Sequence, residues 1–494
     1  MKNSYQKIIE GYLKSRGPCL SSELAKYLQT TTRCSVQAAR QAVYRLENPI
    51  NKLKGINFQD AQKFVYLSEH FGSAKFREKL IEMLIIHRTA AGRAILAINS
   101  RGGFIRKSDF DAIACAPILN LSGQLKSSVV RDQLIKNNLL MEETYDGTEY
   151  YRIFDSTSSN LIAHVEQRIS DLLLKKCAEW ALRVGFTSKN SGRLRGSKDV
   201  PQFGLFAWDY TSPTFLHGLR QWKSKKKISG FFAVDVLVKQ DPIVPRDLAA
   251  YFHKIEVIQS QKNSKRFIPA LIHLGMEEEL LMNVRDRGIM CLEPRSFGDP
   301  QLADIIKELL RFLENARQFF GDQDRLNLLI AKMLTTDFGR LLNLPGPLFQ
   351  IIVAFLYKCE GHLIETGKMI SSSESEAEID VYVLTNSREI IAIETKGYKK
   401  GKELNLDEVE KWISERRPRI IKWFQINYQS QGYTLRFEFI ISSKFSDPQL
   451  KRLNTHASHS YRNFPITFLD IKHVISMANK YKQYEIVKGL NEHF

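Results

Sequence analysis

The sequence has few of the features that mark secreted or membrane proteins. Its 494 residues include only six cysteines, with no CxxC pair and no Cys/His cluster at zinc spacing. We therefore predict reduced thiols and a cytoplasmic location, without disulfides or a zinc site. Residues 1–7 lack the apolar core of a signal peptide, and no apolar run reaches the ~18 residues of a membrane span. We expect no membrane partner.

Acidic residues are too few to balance the basic ones. The chain has 72 Lys and Arg against 54 Asp and Glu, which gives a net charge of +18. This excess predicts a polyanionic partner, most simply DNA, although RNA and a merely basic protein are the alternatives. A composition of 43% hydrophobic and 26% charged residues is globular and excludes global disorder. The length predicts roughly three or four domains.

Two successive N-terminal segments share one predicted plan, three helices followed by a β-hairpin. Residues 1–78 have a third helix that starts at Ser35 and ends before Pro49. Residues 79–155 repeat the plan with one long helix over 79–99, a third helix over 124–138 and a hairpin turn at Asp146-Gly147. The order of elements predicts two small α+β domains in tandem.

This order resembles that of winged helix-turn-helix domains, whose third helix enters the major groove of DNA. The resemblance implies contacts with bases or phosphates from polar and basic side chains that lie off the buried stripe of each third helix. These are Gln37, Arg40, Gln41 and Arg45 in the first segment, and Lys126 and Arg131 in the second. The alternative is that such domains serve only for dimerisation or docking.

Near the C-terminus, three charged residues interrupt a predicted β-hairpin whose strands flank a polar turn at residues 386–388. Asp380 lies in the first strand, and Glu394 and Lys396 lie in the second. A buried charge is costly unless it is paired or binds a metal, so this group predicts a site. A three-residue turn would place Asp380 opposite Glu394 on one face, whereas a two-residue turn would separate them.

The residues around this hairpin predict a helix, a three-strand meander, a helix and a strand, with the pattern D-x13-ExK on the second and third strands. This arrangement, over residues 346–475, resembles the PD-(D/E)XK superfamily of restriction-endonuclease-like nucleases, although Ile379 stands where the motif has proline. The resemblance implies that Asp380, Glu394 and the carbonyl of Thr395 hold Mg²⁺ or Mn²⁺.

The same resemblance implies roles for further residues. Lys396 would orient the attacking water or the scissile phosphate, and Lys399 and Lys400 would contact the DNA backbone. Glu365 and Gln350 are additional candidate ligands. The alternative is a surface Glu–Lys pair at a strand end.

Residues 156–320 show a similar α/β order. Asp209 and Asp235 lie on predicted strands, but Leu237 breaks the carboxylate-x-lysine pattern before Lys239. We interpret this segment as a degenerate nuclease-like domain; the alternative is a second site formed by these two aspartates and Lys239. The run Lys225, Lys226 and Lys227 suits phosphate contact, or is a solvated loop. Residues 321–345 are a linker helix before the nuclease domain, 346–494.

We therefore expect a multidomain chain in which N-terminal α+β winged helices precede two α/β restriction-endonuclease-like domains, the first degenerate. Its predicted function is that of a metal-dependent DNA endonuclease. By analogy of architecture this suits restriction or antiviral defence, with partner proteins of a defence system. One site cuts one strand, so double-strand cleavage needs a homodimer or sequential nicking. The alternatives are a non-catalytic DNA-binding regulator or adaptor, and an RNase or structure-specific repair nuclease.

Overall fold

The protein is a multidomain mixed α/β chain. The computed structural model describes residues 2–56, 58–120, 122–145, 148–154, 160–223, 226–261, 264–297, 300–314, 345–372, 375–398, 404–458 and 463–494. The chain divides into two compact units, the first formed by residues 1–158 and 173–293 and the second by residues 159–172 and 294–494. No helix in the described part of the chain is long and apolar enough to span a membrane.

The first unit begins with a module of three helices and a three-stranded antiparallel sheet. Its elements are α1 (Lys2–Arg16), β1 (Cys19–Leu20), α2 (Ser21–Thr32), α3 (Val36–Tyr44), β2 (Ile50–Lys52) and β3 (Phe64–Leu67), with sheet order β1-β3-β2. The Ser35 side chain caps α3 by accepting from the Ala38 N–H. Ala39 and Val43 are buried on the inner face of α3, as the apolar spacing predicts.

A second module repeats this order. Its elements are α4 (Ala74–Ile86), α5 (Ala90–Asn99), β4 (Phe104–Arg106), α6 (Phe110–Ile113), α7 (Ser127–Lys136), β5 (Leu140–Tyr145) and β6 (Thr148–Ile153), with sheet order β4-β6-β5. The prediction of one helix over 79–99 is wrong, because the chain turns at Arg88 (φ 46°) and Thr89 caps a new helix. The long third helix predicted for this module is shorter, since α7 starts only at Ser127.

The remainder of the first unit is built on a five-stranded sheet. Of α8 (Asn160–Arg183), residues 173–183 belong to this unit and the residues before them to the second. The other elements are β7 (Arg193–Leu194), β8 (Gln202–Phe203), β9 (Phe206–Ala207), β10 (Tyr210–Thr214), β11 (Gln221–Lys223), β12 (Lys226–Ile228), β13 (Gly230–Leu237), α9 (Ala249–Gln259), β14 (Phe267–His273), α10 (Glu278–Asp286) and β15 (Met290–Leu292). The sheet order is β15-β14-β13-β10-β7. β13, β14 and β15 are parallel, and β10 is antiparallel to β13 and β7. Asp235 lies on β13 as predicted, but Asp209 lies in the bend between the β8–β9 hairpin and β10 and not on a strand.

One hydrophobic core joins the segments of the first unit. It contains Phe64 of the first module, Leu80 and Leu134 of the second, and Ala250 of α9. The predicted domain boundary at 155/156 is therefore not a boundary between compact units, because the small modules bury their apolar faces against their neighbours.

The second unit carries the predicted nuclease domain on a mixed sheet. Its elements after α8 are α11 (Pro300–Glu314), α12 (Pro345–Cys359), β16 (Leu363–Ser372), β17 (Ser375–Leu384), β18 (Glu389–Lys396), α13 (Leu406–Lys411), α14 (Arg417–Asn427), β19 (Thr434–Ile441), α15 (Asp447–Ser458), β20 (Ile466–Leu469), α16 (Ile471–Lys480) and α17 (Tyr484–His493). The sheet order follows the chain, β16 to β20. β16, β17 and β18 form an antiparallel meander, and β18, β19 and β20 are parallel.

Helices cover this sheet, and its strands are apolar as two-sided burial requires. Trp412, Ile420 and Phe424 share a core with Ala392 and Phe437 of the sheet. α12 contacts β16, β17 and β18. The predicted helix, three-strand meander, helix and strand are found in that order from α12 to β19, although the predicted second helix is divided into α13 and α14.

Gly92 provides a test of how α4 and α5 pack. A Cβ at this position would lie 2.1 Å from the carbonyl oxygen of Leu84, so we expect Gly92→Ala to destabilise the protein by about 1–3 kcal/mol. Gly11 of α1 is the matched control, because a Cβ there meets no atom within 4 Å. Gly11→Ala should stabilise by about 0.5–1 kcal/mol. Urea unfolding followed by circular dichroism measures both, and equal effects would contradict the close approach of the two helices.

Candidate active site

The turn between β17 and β18 has the odd length that the site requires. The N–H of Thr385 donates to the carbonyl of Glu389 at 2.9 Å, and Arg388 adopts φ 59° in the intervening turn. The ladder then pairs Leu384 with Ile390 and ends with Val381 opposite Ile393. Continued by one residue, the register places Asp380 opposite Glu394 on one face of the sheet, as the three-residue turn predicts.

Asp380 lies where the backbone pairing on both sides of β17 is interrupted. The β16–β17 ladder skips Asp380 and the facing Gly367, which has φ 60°. The Asp380 carbonyl instead accepts a 2.6 Å hydrogen bond from Nε2 of Gln350 on α12. Gln350, a candidate ligand by resemblance, thus holds the backbone of the site through its amide group.

The two carboxylates are buried, and each is engaged through one oxygen. Asp380 is 7% exposed and Glu394 is 1% exposed. Oδ2 of Asp380 accepts hydrogen bonds from the Thr395 N–H at 2.8 Å and the Thr395 hydroxyl at 3.2 Å. Oε1 of Glu394 receives Lys396 Nζ at 2.7 Å and Arg416 Nη1 at 3.5 Å. Among the described residues, no donor contacts Oδ1 of Asp380 or Oε2 of Glu394.

Burial and the facing charge change the protonation of this group. Burial, with the nearby Glu394 carboxylate, raises the pKa of Asp380 to about 6, against the opposing effect of Lys396 and the Thr395 N–H. Burial alone would lower the pKa of Lys396, but Glu394 and Asp380 outweigh it and raise that pKa above its usual value. The two carboxylates therefore favour the protonated form of Lys396, which donates hydrogen bonds.

The donor set fits a hard divalent cation. Asp380 and Glu394 supply carboxylate oxygens without described donors, and Mg²⁺ and Mn²⁺ prefer such ligands. The Lys396 carbonyl accepts from Ser442 on the β19 side; strand alternation then turns the Thr395 carbonyl towards β17, past the last pair of that ladder. No three His, Cys, Asp or Glu side chains of the described residues group as a metal site, so other ligands would come from water and substrate.

Of the other residues predicted for this site, Glu365 is already paired with a lysine and two lysines fall outside the described residues. Glu365 pairs with Lys368 at 2.9 Å. Lys399 and Lys400 lie outside the described residues. Arg416 was missed, because it is 22 positions beyond Glu394 on a separate helix and no local pattern links the two. Its only sequence signal is the Arg416-Arg417-Pro418 run.

The residues predicted to contact DNA divide into two groups. Gln37, Arg40, Gln41 and Arg45 are all exposed, on α3 or directly after it. In the second module, Lys126 is exposed, but Arg131 is half-buried and its guanidinium bonds Asp132 at 3.0 Å. Gln133 of the same helix donates to the Gly55 carbonyl of the first module at 2.6 Å. Lys225 lies outside the described residues, as do the side chains of Lys226 and Lys227 on β12.

In the first unit, every carboxylate oxygen of Asp209 and Asp235 has a donor. Asp209 Oδ1 accepts from Arg195 at 3.0 Å, and Oδ2 accepts from the Val236 N–H at 2.8 Å. Asp235 Oδ1 accepts from the Asp209 N–H at 3.1 Å, and Oδ2 lies 2.6 Å from Lys254 Nζ. All four carboxylate oxygens thus have donors.

Lys239, the third member of the alternative second site, pairs with neither aspartate. Its Nζ lies 2.7 Å from Asp247, and the residue follows the end of β13 at Leu237. The second site formed by Asp209, Asp235 and Lys239 is therefore not assembled. In its place, Arg101 of the second module approaches Asp209 at 3.9 Å.

Charge compensation fixes the protonation of the engaged pair. Burial raises the pKa of Asp209, but Arg195 and Arg101 outweigh it and hold that pKa below its ordinary value. Burial raises the pKa of Asp235, with Lys254 opposing the shift. This cluster is a buried ion network that links the second module to the five-stranded sheet.

Comparisons with protein-family models, curated proteins and solved structures gave no match to this chain. Its function is therefore inferred from the geometry and chemistry of the site.

The network predicts a strong dependence on Lys254, which is fully buried. Lys254→Met leaves Asp235 without its cation, so we expect a loss of about 3–5 kcal/mol in the free energy of unfolding. The double variant Lys254→Met/Asp235→Asn should recover part of this loss, because no uncompensated charge remains. Urea unfolding of the single and double variants measures the coupling. Additive effects would show that the two side chains do not form a buried pair.

Proposed function

We propose that the second unit hydrolyses phosphodiester bonds in DNA with a divalent metal ion, as a PD-(D/E)XK-like endonuclease. The observation that carries this proposal is the pair of buried carboxylates, Asp380 and Glu394, facing each other with Lys396 on the same face. Unlike the buried aspartates of the first unit, Asp380 and Glu394 each keep one carboxylate oxygen without a described donor, which leaves that oxygen available to a metal ion. A buried carboxylate with a raised pKa, as Asp380 has, is typical of active sites.

In the proposed reaction, Asp380, Glu394 and the Thr395 carbonyl would hold the ion. When bound, Mg²⁺ would lower the pKa of a coordinated water and offset negative charge on the reacting phosphate. Thr395 fixes the orientation of the Asp380 carboxylate through two hydrogen bonds. Lys396, protonated, donates from Nζ to the attacking oxygen or to a phosphate oxygen.

The first module would place the chain on DNA. The segment 35–46 contains no acidic residue, and its exposed Gln and Arg side chains are typical donors to bases and phosphates. The second module suits a docking role better, since α7 contacts the first module and Arg101 contacts the sheet. A setting in restriction or antiviral defence, in the cytoplasm and with a homodimer or partner proteins, is part of the proposal by analogy of architecture.

The proposal predicts cleavage of supercoiled plasmid with Mg²⁺ or Mn²⁺ and none with EDTA. Asp380→Ala and Lys396→Ala should each lower the cleavage rate by about 100-fold or more while DNA binding remains. Lys239→Ala is the control, because Lys239 pairs with Asp247 outside the candidate site, and it should cut at the wild-type rate.

Other outcomes of this assay separate the alternatives. Full activity in both site variants would refute the assignment of Asp380 and Lys396. Binding of DNA by the wild type without any cleavage would favour an adaptor. Cleavage of RNA or of branched DNA alone, in a parallel substrate panel, would favour the RNase or the repair nuclease.

The DNA-binding part of the proposal has its own test. Arg40→Ala/Arg45→Ala should weaken DNA binding and reduce the slope of log affinity against log salt by about 0.9 for each phosphate that the two arginines neutralise. Arg285→Ala/Arg287→Ala removes the same charge from exposed positions at α10 and should keep the wild-type slope. Equal slopes for the first pair and the wild type would remove α3 from the interface.

A further inference from the structure

Arg416 reaches the candidate site through an irregular turn in the helix that covers it. α13 and α14 are joined by a π turn, Trp412–Arg416, in which the Arg417 N–H donates to the carbonyl of Trp412, five residues earlier. Pro418 follows in the first turn of α14 and has no N–H, so the regular helical ladder cannot continue here. π turns frequently lie at functional sites.

The π turn determines which arginine faces the carboxylates. Arg417 is buried and donates to the carbonyl of Phe464 at 2.7 Å. The Arg416 side chain is 35% exposed, with Nη1 3.5 Å from Oε1 of Glu394. Lys396 Nζ lies 2.7 Å from the same oxygen. Two cations therefore contact the same oxygen of Glu394. The longer of the two contacts is made by Arg416, whose side chain is partly exposed to solvent.

This arrangement opposes the binding of a metal ion in the absence of substrate. The carboxylate assigned to the ion already has two cationic neighbours, which repel a divalent cation. The site also has only two carboxylates, and Mg²⁺ at such sites is held by one or two carboxylates together with phosphates of the substrate. A phosphate that drew Arg416 away from Glu394 would remove one repulsive charge and supply a further oxygen ligand.

We propose that Arg416 is a switch that couples metal binding to substrate binding. It holds Glu394 in the free protein and moves its guanidinium to a phosphodiester oxygen when DNA binds, which leaves Glu394 to the ion. A planar guanidinium is well suited to phosphate, and the 3.5 Å contact with Glu394 is loose enough to exchange. This inference rests on the proposed nuclease function.

The switch has a thermodynamic signature. If DNA tightens metal binding, the metal must tighten DNA binding by the same factor. Without the Arg416 charge, the free protein should bind the metal more tightly, and bound DNA should increase the metal affinity only a little further.

The test is a calorimetric titration of the full chain with Ca²⁺, alone and with a saturating short DNA duplex. For the wild type we expect DNA to tighten Ca²⁺ binding by about tenfold or more. Arg416→Ala should bind Ca²⁺ alone several-fold more tightly than the wild type, and DNA should then add less than about threefold. Arg416→Lys, which keeps the charge, should bind Ca²⁺ alone as the wild type does.

Arg419→Ala is the matched control, because it removes the same charge from an exposed position of α14 and should keep the wild-type coupling. If Arg416→Ala loses cooperative melting, Arg416→Gln, with a similar stem and no charge, takes its place. The switch is overturned if the wild type and the uncharged variant have the same Ca²⁺ affinity and the same response to DNA. It is also overturned if the wild type binds no Ca²⁺ under either condition.

Failure of the switch and failure of the nuclease are distinguishable. If the wild type shows the coupling between DNA and metal binding but cuts no DNA, the nuclease proposal is refuted and the proposed role of Arg416 is supported. If the wild type cuts DNA with metal, but Arg416→Ala shows the same coupling as the wild type, the nuclease proposal is supported and the proposed role of Arg416 is refuted.

Discussion

Two buried carboxylates that face each other across β17 and β18 are the constraint on which the C-terminal site depends. Like charges in a low-dielectric interior repel strongly, so each must be compensated. Lys396 and Arg416 compensate Glu394, and the Thr395 N–H and hydroxyl hold Asp380. The break in the ladders at Asp380, the bond from Gln350 and the π turn all arrange groups around this pair. The break in the ladders and the π turn are departures from regular structure, and such departures cost stability and cluster at functional sites.

The first unit shows the opposite outcome for the same residue types. Asp235 lies on β13 and Asp209 directly before β10 of a covered sheet, yet every carboxylate oxygen there has a donor. The cations come from α9, from the β7 region and from the second module, so the pair serves to join segments. Carboxylates whose two oxygens both accept from protein donors have a structural role. The carboxylates of Asp380 and Glu394 differ, because each keeps one oxygen without a described donor. Burial of a carboxylate pair is thus not enough to define a site.

The two N-terminal modules have the same arrangement of strands but expose different surfaces of α3 and α7. From α5 onward the second module repeats the order of elements of the first, after the additional helix α4. α3 presents its polar face to solvent, whereas α7 sends Gln133 to the first module and Arg131 to its own neighbour Asp132. The difference lies in what packs against each helix. A repeated fold therefore does not imply a repeated binding surface.

Local patterns in the sequence determined a good part of this structure. The two-residue period of a strand reduced the register of Asp380 and Glu394 to two possibilities, because a register is fixed by the turn that closes it. The structure chose between them, since the Thr385 N–H donates to the Glu389 carbonyl across a three-residue turn. Helical spacing likewise identified α3 and its buried Ala39 and Val43, whereas Val36, which the same spacing places on the buried stripe, is 49% exposed. β1 and β4 were missed because strands of two or three residues are too short to show an alternation.

Long-range packing decided the rest. Arg416 meets Glu394 only because a π turn before Pro418 rotates one face of a distant helix toward the sheet. Lys254 meets Asp235, and Lys239 does not, because α9 packs over the strand while the chain after β13 turns away. No local periodicity encodes which cation reaches which carboxylate, since that depends on how separate elements pack together. The sequence thus determined the pair of carboxylates, and the tertiary structure decided which charges surround it.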